Sequence, residues 1–169
     1  KNIAPAGLYK MPSIRKNYSV TDKADGLRKL LYVSNKGRIY LIDPLMNVQF
    51  TGLEAEIKAF HNTLIDGEHV LHDKDGNFIN LYLAFDIYFI KGEGVRERSF
   101  YTSSKEHADK SRYSEMVKYV GSIDAKPVIK VVQNPFVIQA KRFYFDDGGV
   151  FGAEEEGDAS GSKSADSRG

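Results

Sequence analysis

The chain contains no cysteine. That excludes disulfide bridges and zinc sites built on thiolates, so stability must come from an ordinary apolar core. No uninterrupted apolar segment is long enough to cross a bilayer. No basic-then-apolar leader opens the sequence either, so the expectation is a protein without a membrane partner, working in the cytoplasm. An excess of one charge is missing as well, since 24 basic residues face 23 acidic ones. The total therefore says nothing about nucleic acid, but the distribution says more. Residues 152–169 carry Glu154, Glu155, Glu156, Asp158 and Asp166 against Lys163 and Arg168, which leaves the rest mildly basic. A basic body suits a protein that handles phosphates, and is also common among proteins that do not.

The same eighteen residues hold no aromatic or large aliphatic side chain. They cannot bury enough surface to offset the entropy of ordering, so they read as a disordered acidic tail or insertion. Residues 1–151 are enough for one domain with a real core. Within them the pattern is mostly extended. Leu27 to Val33 and Arg38 to Asp43 read as a hairpin around Ser34-Asn35-Lys36-Gly37, ended by Pro44. Leu53, Ile57 and Phe60 have the spacing of one helical face. Thr63 to Leu71 and Phe78 to Ile90 read as strands joined by the turn Asp73-Lys74-Asp75-Gly76-Asn77. The long apolar run of the second suggests a central strand buried on both faces. Lys105 to Val120 predicts a helix, with Tyr113, Met116, Val117 and Val120 on one side. Lys126 to Phe145 alternates and predicts an extended segment broken near Asn134-Pro135.

Three short motifs occur in order. Thr21-Asp22-Lys23-Ala24-Asp25-Gly26-Leu27-Arg28 contains Lys-x-Asp-Gly with an arginine two residues beyond. Thr63-Leu64-Ile65-Asp66-Gly67-Glu68 ends in Asp-Gly-Glu. Leu83-Ala84-Phe85-Asp86-Ile87-Tyr88-Phe89 is an apolar strand carrying aromatic-Asp. Each has a plain structural reading. Lys-x-Asp-Gly occurs in solvated turns, Asp66-Gly67 fits a strand bulge, and Phe85 fits core packing.

Together and in this order, the motifs resemble those of the covalent nucleotidyltransferases, meaning DNA and RNA ligases and mRNA capping enzymes. They look most like the guanylyltransferase module of capping enzymes of large nucleocytoplasmic DNA viruses. The resemblance covers about residues 12 to 145. It implies an α+β, ATP-grasp-like domain in which antiparallel sheets flank a nucleotide groove, incomplete at its C-terminal side. By it, Lys23 attacks the α-phosphorus of GTP to form lysyl-GMP, which is passed to the 5′-diphosphate end of an RNA. Asp25, Gly26, Arg28, Glu68 and Phe85 would bind the nucleotide: Arg28 at ribose or phosphates, Glu68 at a ribose hydroxyl or a Mg or Mn ion, Phe85 stacked on the purine.

The chemistry explains the residue types. An ammonium has no lone pair, so Lys23 must give up its proton, which calls for a pKa lowered by desolvation or by neighbouring cations. Arginine could not do this. Gly26 would allow a tight backbone turn behind the nucleophile.

The family's fourth motif should follow the strand ending near Phe145, and the fifth, with phosphate-binding lysines, should come after it; neither is found. Glu93-Gly94-Val95 resembles the fourth but follows Asp86 too closely to serve. Downstream domains or a partner are therefore expected to complete the site. An ATP-dependent ligase and a catalytically silent nucleotide- or protein-binding module remain the alternatives. Asp73-Lys74-Asp75-Gly76 lacks the later ligands of a calcium loop. His69-x-x-His72 on a strand would place its rings on opposite faces, which argues against a metal site.

Overall fold

A computed structural model describes residues 18–103, 108–129 and 135–145. The acidic tail and the start of the expected helix, 105–107, lie outside them. Nearly all described residues belong to one compact unit, Val20–Tyr144, to which the following account refers. It is dominated by antiparallel sheet and has one α-helix.

The strands are β1 (Ser19–Val20), β2 (Leu27–Val33), β3 (Arg38–Ile42), β4 (Val48–Ala55), β5 (Thr63–His72), β6 (Phe78–Ile90), β7 (Glu93–Gly94), β8 (Ala125–Pro127), β9 (Val137–Ala140) and β10 (Tyr144–Phe145). β2 to β9 build an eight-stranded sheet in the order β7-β6-β5-β2-β3-β4-β8, with β9 added to β6. All its neighbours are antiparallel except β6 and β9, which run parallel. A parallel pair needs a long crossover, and helix α1 (Arg112–Ser122) lies in that connection.

Alternation along the strands decides what is buried. Leu31, Val33, Ile39, Leu41, Ile65, Tyr82, Ala84 and Ile87 are each at most 2% exposed and form the core with Met116, Tyr119 and Val120 of α1. The helix is fixed at both ends. The Ser111 side chain accepts the Ser114 N–H as its N-cap, and the Tyr119 hydroxyl donates to the Phe60 carbonyl.

Four expectations are corrected. Leu53 to Phe60 is not a helix. It is the end of β4 followed by a single 3-10 turn, Lys58–Phe60, and Ile57 stands half exposed. The i, i+4 spacing arose from two different elements. The α-helix begins at Arg112 rather than Lys105, because Ser111 caps it there and a separate 3-10 turn, Ala108–Lys110, precedes it. Its inner face uses Tyr119, while Val117 is 40% exposed. β6 is not buried on both faces: Phe78 and Phe89 are exposed, and only short β7 and β9 lie beyond it.

The β5–β6 turn is held by Asp73, whose Oδ1 accepts the N–H groups of Asp75 and Asn77 and whose Oδ2 accepts the Asn77 amide. Asp43 and Asn47 close the β3–β4 turn in the same way. These aspartates are turn locks.

Candidate nucleotidyl-transfer site

β2 and β5 are register partners along their length, and this pairing brings the first two motifs together. Arg28 lies opposite Glu68, and Leu30 opposite Asp66. Just before β2 the chain bends at Gly26, over the edge of β5. Gly26 is not in the left-handed region, so a tight turn is not why glycine is needed. The reason is close approach. A Cβ there would stand 2.8 Å from both the Glu68 side chain and the His69 carbonyl. The bend delivers the Gly26 N–H to Glu68 Oε1 at 3.2 Å.

Lys23, Asp25, Gly26, Glu68, His69 and His72 line an open groove of about 480 Å³. Lys23 stands on its rim with Nζ 2.6 Å from Asp25 Oδ1, and both side chains are 87% exposed. The hydrogen bond and charge of Asp25 raise the Lys23 pKa above the ordinary lysine value, and Lys23 lowers that of Asp25. This is opposite to the depressed pKa expected of a nucleophile. Full exposure supplies no useful desolvation, and the nearest charge is a carboxylate rather than a cation.

On the groove floor, the second Glu68 oxygen lies 3.9 Å from Lys141 Nζ, and neither side chain is more than 19% exposed. His69 is buried against Phe136, its Nε2 paired with Asn80 Oδ1, and burial lowers its pKa below the ordinary histidine value. Both His69 and His72 reach the same groove, across a register irregularity between Val70 and His72.

Arg28 reaches across to Asp66 on β5. Its Nε and Nη2 donate to the two carboxylate oxygens at 3.1 and 2.6 Å, and the Tyr88 hydroxyl donates to the same carboxylate at 2.6 Å. Asp66 is fully buried, so the pair is an anchor. Its hydrogen bonds raise the Arg28 pKa further.

Asp66 sits across from Asp86 on β6, an arrangement of like charges that would be unfavourable unrelieved. Each carboxylate has its own bidentate arginine. Arg112 binds Asp86 at 2.8 and 3.0 Å and also donates to the Arg96 and Arg98 carbonyls, tying the loop after β7 to the start of α1. Opposite Asp66-Gly67 the partner strand β6 carries a bulge. Gly67 pairs with Ala84 and Asp66 with Asp86, leaving Phe85 as the extra residue. Glycine at 67 makes room for the Tyr82 ring, whose hydroxyl donates to the Lys29 and Ile65 carbonyls. Phe85 is half-buried and is not among the residues lining the groove.

The structure thus gathers Lys23, Asp25, Gly26 and Glu68 at one groove, sets Arg28 beside it on Asp66, and places Phe85 at the bulge. Lys141 and Arg112 lie outside the three motifs, and Tyr88, though within the third, is assigned no role there. The quoted Asp86 was the one sequence signal that could have led to Arg112.

A lysine on a groove rim, with a glycine amide and a carboxylate from a neighbouring strand below it, makes this groove the candidate site. Comparison with known families narrows this. Residues 13–150 match the model of the mRNA capping enzyme catalytic domain, and the chain belongs to that family. It is 36% identical over 95 residues to the "Probable mRNA-capping enzyme" of Acanthamoeba polyphaga mimivirus. That stretch is 54% of this chain and 7% of the relative, so the chain spans a small part of the relative's length.

Proposed function

We propose that this chain is the nucleophile-bearing part of an mRNA guanylyltransferase, with an ATP-grasp-like nucleotidyltransferase fold across residues 1–151. Lys23 Nζ, after losing a proton, attacks the α-phosphorus of GTP. An N–P bond forms, the α–β P–O bond breaks, and pyrophosphate leaves. The terminal phosphate oxygen of a 5′-diphosphate RNA then attacks the same phosphorus, and the lysine amine departs. The observation that carries this reading is the groove itself, where Lys23 stands over a floor formed by Glu68 bonded to the Gly26 amide. Family membership supports guanylyl rather than adenylyl transfer.

Lys23 is the movable part of the site. Its pair with Asp25 stores it as a cation on the rim, and attack requires that pair to open. Arg28, with Nε and Nη2 held by Asp66, presents its charge at a fixed position beside the groove, where a phosphate or ribose contact fits. Phe85, half-buried at the β6 bulge, is the aromatic assigned to stack on the purine.

A magnesium or manganese ion would lower the barrier by neutralising charge on the triphosphate. Among the described residues no cluster of three or more His, Asp or Glu could hold one. Glu68 is the groove-floor carboxylate available to such an ion. One carboxylate together with substrate phosphates is a ligand set magnesium accepts. Further phosphate-binding cations are assigned to downstream parts of the polypeptide or to a partner. None of the helices among the described residues is long and apolar enough to cross a membrane. Work in the cytoplasm on GTP and RNA ends is part of the proposal.

Incubation with α-labelled GTP or ATP and a divalent cation, followed by denaturing electrophoresis, tests the reading. A covalent label from GTP is the expected result, weak in the isolated chain and strong in a longer polypeptide. A label from ATP alone points to a ligase. No label from either, in the longer polypeptide, points to a silent binding module.

A further inference from the structure

We propose that Lys141 is a positioning residue that holds the Glu68 carboxylate on the groove floor, against the Gly26 amide and away from the Lys23 ammonium. The proposal rests on the reading of Lys23 as nucleophile.

Lys141 is far from the motifs in sequence, and the parallel pairing of β9 with β6 brings it to the site. Ala140 is the register partner of Ala84, and Lys141 N–H donates to the Ala84 carbonyl at 2.7 Å. Ala84 pairs in turn with Gly67, and Leu83 with Glu68, so this backbone bond fixes where the lysine side chain starts. The side chain is 14% exposed, unusual for a lysine, and its ammonium faces Glu68 Oε2 at 3.9 Å. A charge so covered is kept where it has a partner, and Glu68 is that partner. The other Glu68 oxygen accepts the Gly26 N–H. The carboxylate is thus held from two sides, by the backbone next to the nucleophile and by Lys141.

The charges around Lys23 show why this matters. Asp25 is paired with it directly, and Glu68 also acts on it across the groove. Lys74 acts on Asp25, while His69 and His72 line the same groove. Arg28, although opposite Glu68 in register, is committed to Asp66. Without Lys141, the ammonium left to attract Glu68 is Lys23, which would then be held by two carboxylates. Lys141 therefore keeps the nucleophile releasable.

The test reads Lys23 directly. The chain is reductively dimethylated with ¹³C-formaldehyde, and the Lys23 resonance, identified by its loss in Lys23→Arg, is titrated by NMR. In Lys141→Met, which keeps the alkyl stem, Lys23 should titrate higher by about half a unit to one unit. GTP labelling at neutral pH should fall by roughly three- to tenfold, as the deprotonated fraction does, with the KM for GTP little changed. Lys141→Arg should restore both. In a Glu68→Gln background, Lys141→Met should no longer move Lys23.

An unchanged Lys23 titration in Lys141→Met would overturn the proposal, and so would a shift that persists with Glu68→Gln. A rise in KM alone would make Lys141 a nucleotide contact instead. Because the titration needs no GTP, a chain that never labels would count against the transfer reading while a Glu68-dependent shift still supports the clamp.

Discussion

Two ion pairs start from one short motif and have the same closest N–O distance, 2.6 Å, yet they differ in kind. Lys23 and Asp25 are two residues apart and both are 87% exposed. Arg28 reaches across to Asp66, which is fully buried and also accepts the Tyr88 hydroxyl. Water screens the first pair, and the entropy of two free side chains opposes it, so it opens readily. The second is bidentate, ends on a carboxylate without solvent, and cannot open without stranding a buried charge. Distance is therefore a poor guide to what an ion pair does. On the proposed reading of Lys23 as nucleophile, burial separates the residue that moves during chemistry from the residue that stays fixed.

The sharpest way to break this contrast is to remove the cations one at a time. Arg28→Ala leaves Asp66 buried with only Tyr88 for support. It should cost about 3 kcal/mol in chemical unfolding, the low end for a stranded buried carboxylate because Arg28 is itself well exposed. Lys23→Ala should leave unfolding unchanged. Equal losses from the two variants would end the distinction.

Removing the anions should give a smaller contrast. Asp66→Ala frees an arginine that water can solvate and takes the acceptor from Tyr88, for about 1–2 kcal/mol. Asp25→Ala should leave stability where it is. A loss from Asp66→Ala larger than from Arg28→Ala would mean that the buried carboxylate is not the costly partner.

Asp25→Asn bears on chemistry rather than stability. It removes the first cause of the raised Lys23 pKa, so the alkaline rise in GTP labelling should move to lower pH. The sign follows from the charges. The pair persists from above the lowered Asp25 pKa to below the raised Lys23 pKa, and the amine becomes nucleophilic only past the upper limit. A profile that stays put would show that the pair is already open when the step occurs.

The smallest effect concerns His69 behind the groove. Burial lowers its pKa, so the unfolded chain takes up the proton first as pH falls below the ordinary histidine value of about 6.5. Stability should be level above that point and decline below it, and His69→Gln should flatten this part of the curve. A decline of the same size in His69→Gln would assign it to other groups.

Much of this was legible along the chain, for local reasons. β2, β3, β5 and β6 announced themselves through apolar runs bounded by Gly, Asp and Asn, and their turns lie where those residues stand. Hairpins are short-range objects. Leu53, Ile57 and Phe60 misled because a strand end and a 3-10 turn together imitate a helical period. The helix start was misplaced because the cap, Ser111, is a stronger signal than the apolar spacing that preceded it.

At the site, residue types were legible but protonation and partners were not. The motif order pointed to Lys23 and Glu68, and antiparallel pairing of β2 with β5 brings them to one groove. That Lys23 would rest on Asp25 with a raised pKa depends on its exposure, which sequence does not record. Lys141 was invisible because its position depends on a parallel pairing formed across a long crossover.

The central claim is that Lys23 is the nucleophile, and mapping the nucleotide adduct tests it most directly. The longest soluble polypeptide containing this chain would be labelled with GTP, cleaved into peptides and analysed by mass spectrometry. A single GMP on Lys23 Nζ is expected, stable to alkali and released by acid as a phosphoramidate should be. It should be lost in Lys23→Arg, which keeps the charge but cannot become the nucleophile, and retained in Lys29→Arg and Lys36→Arg. An adduct on another residue, or labelling that survives Lys23→Arg, would contradict the account.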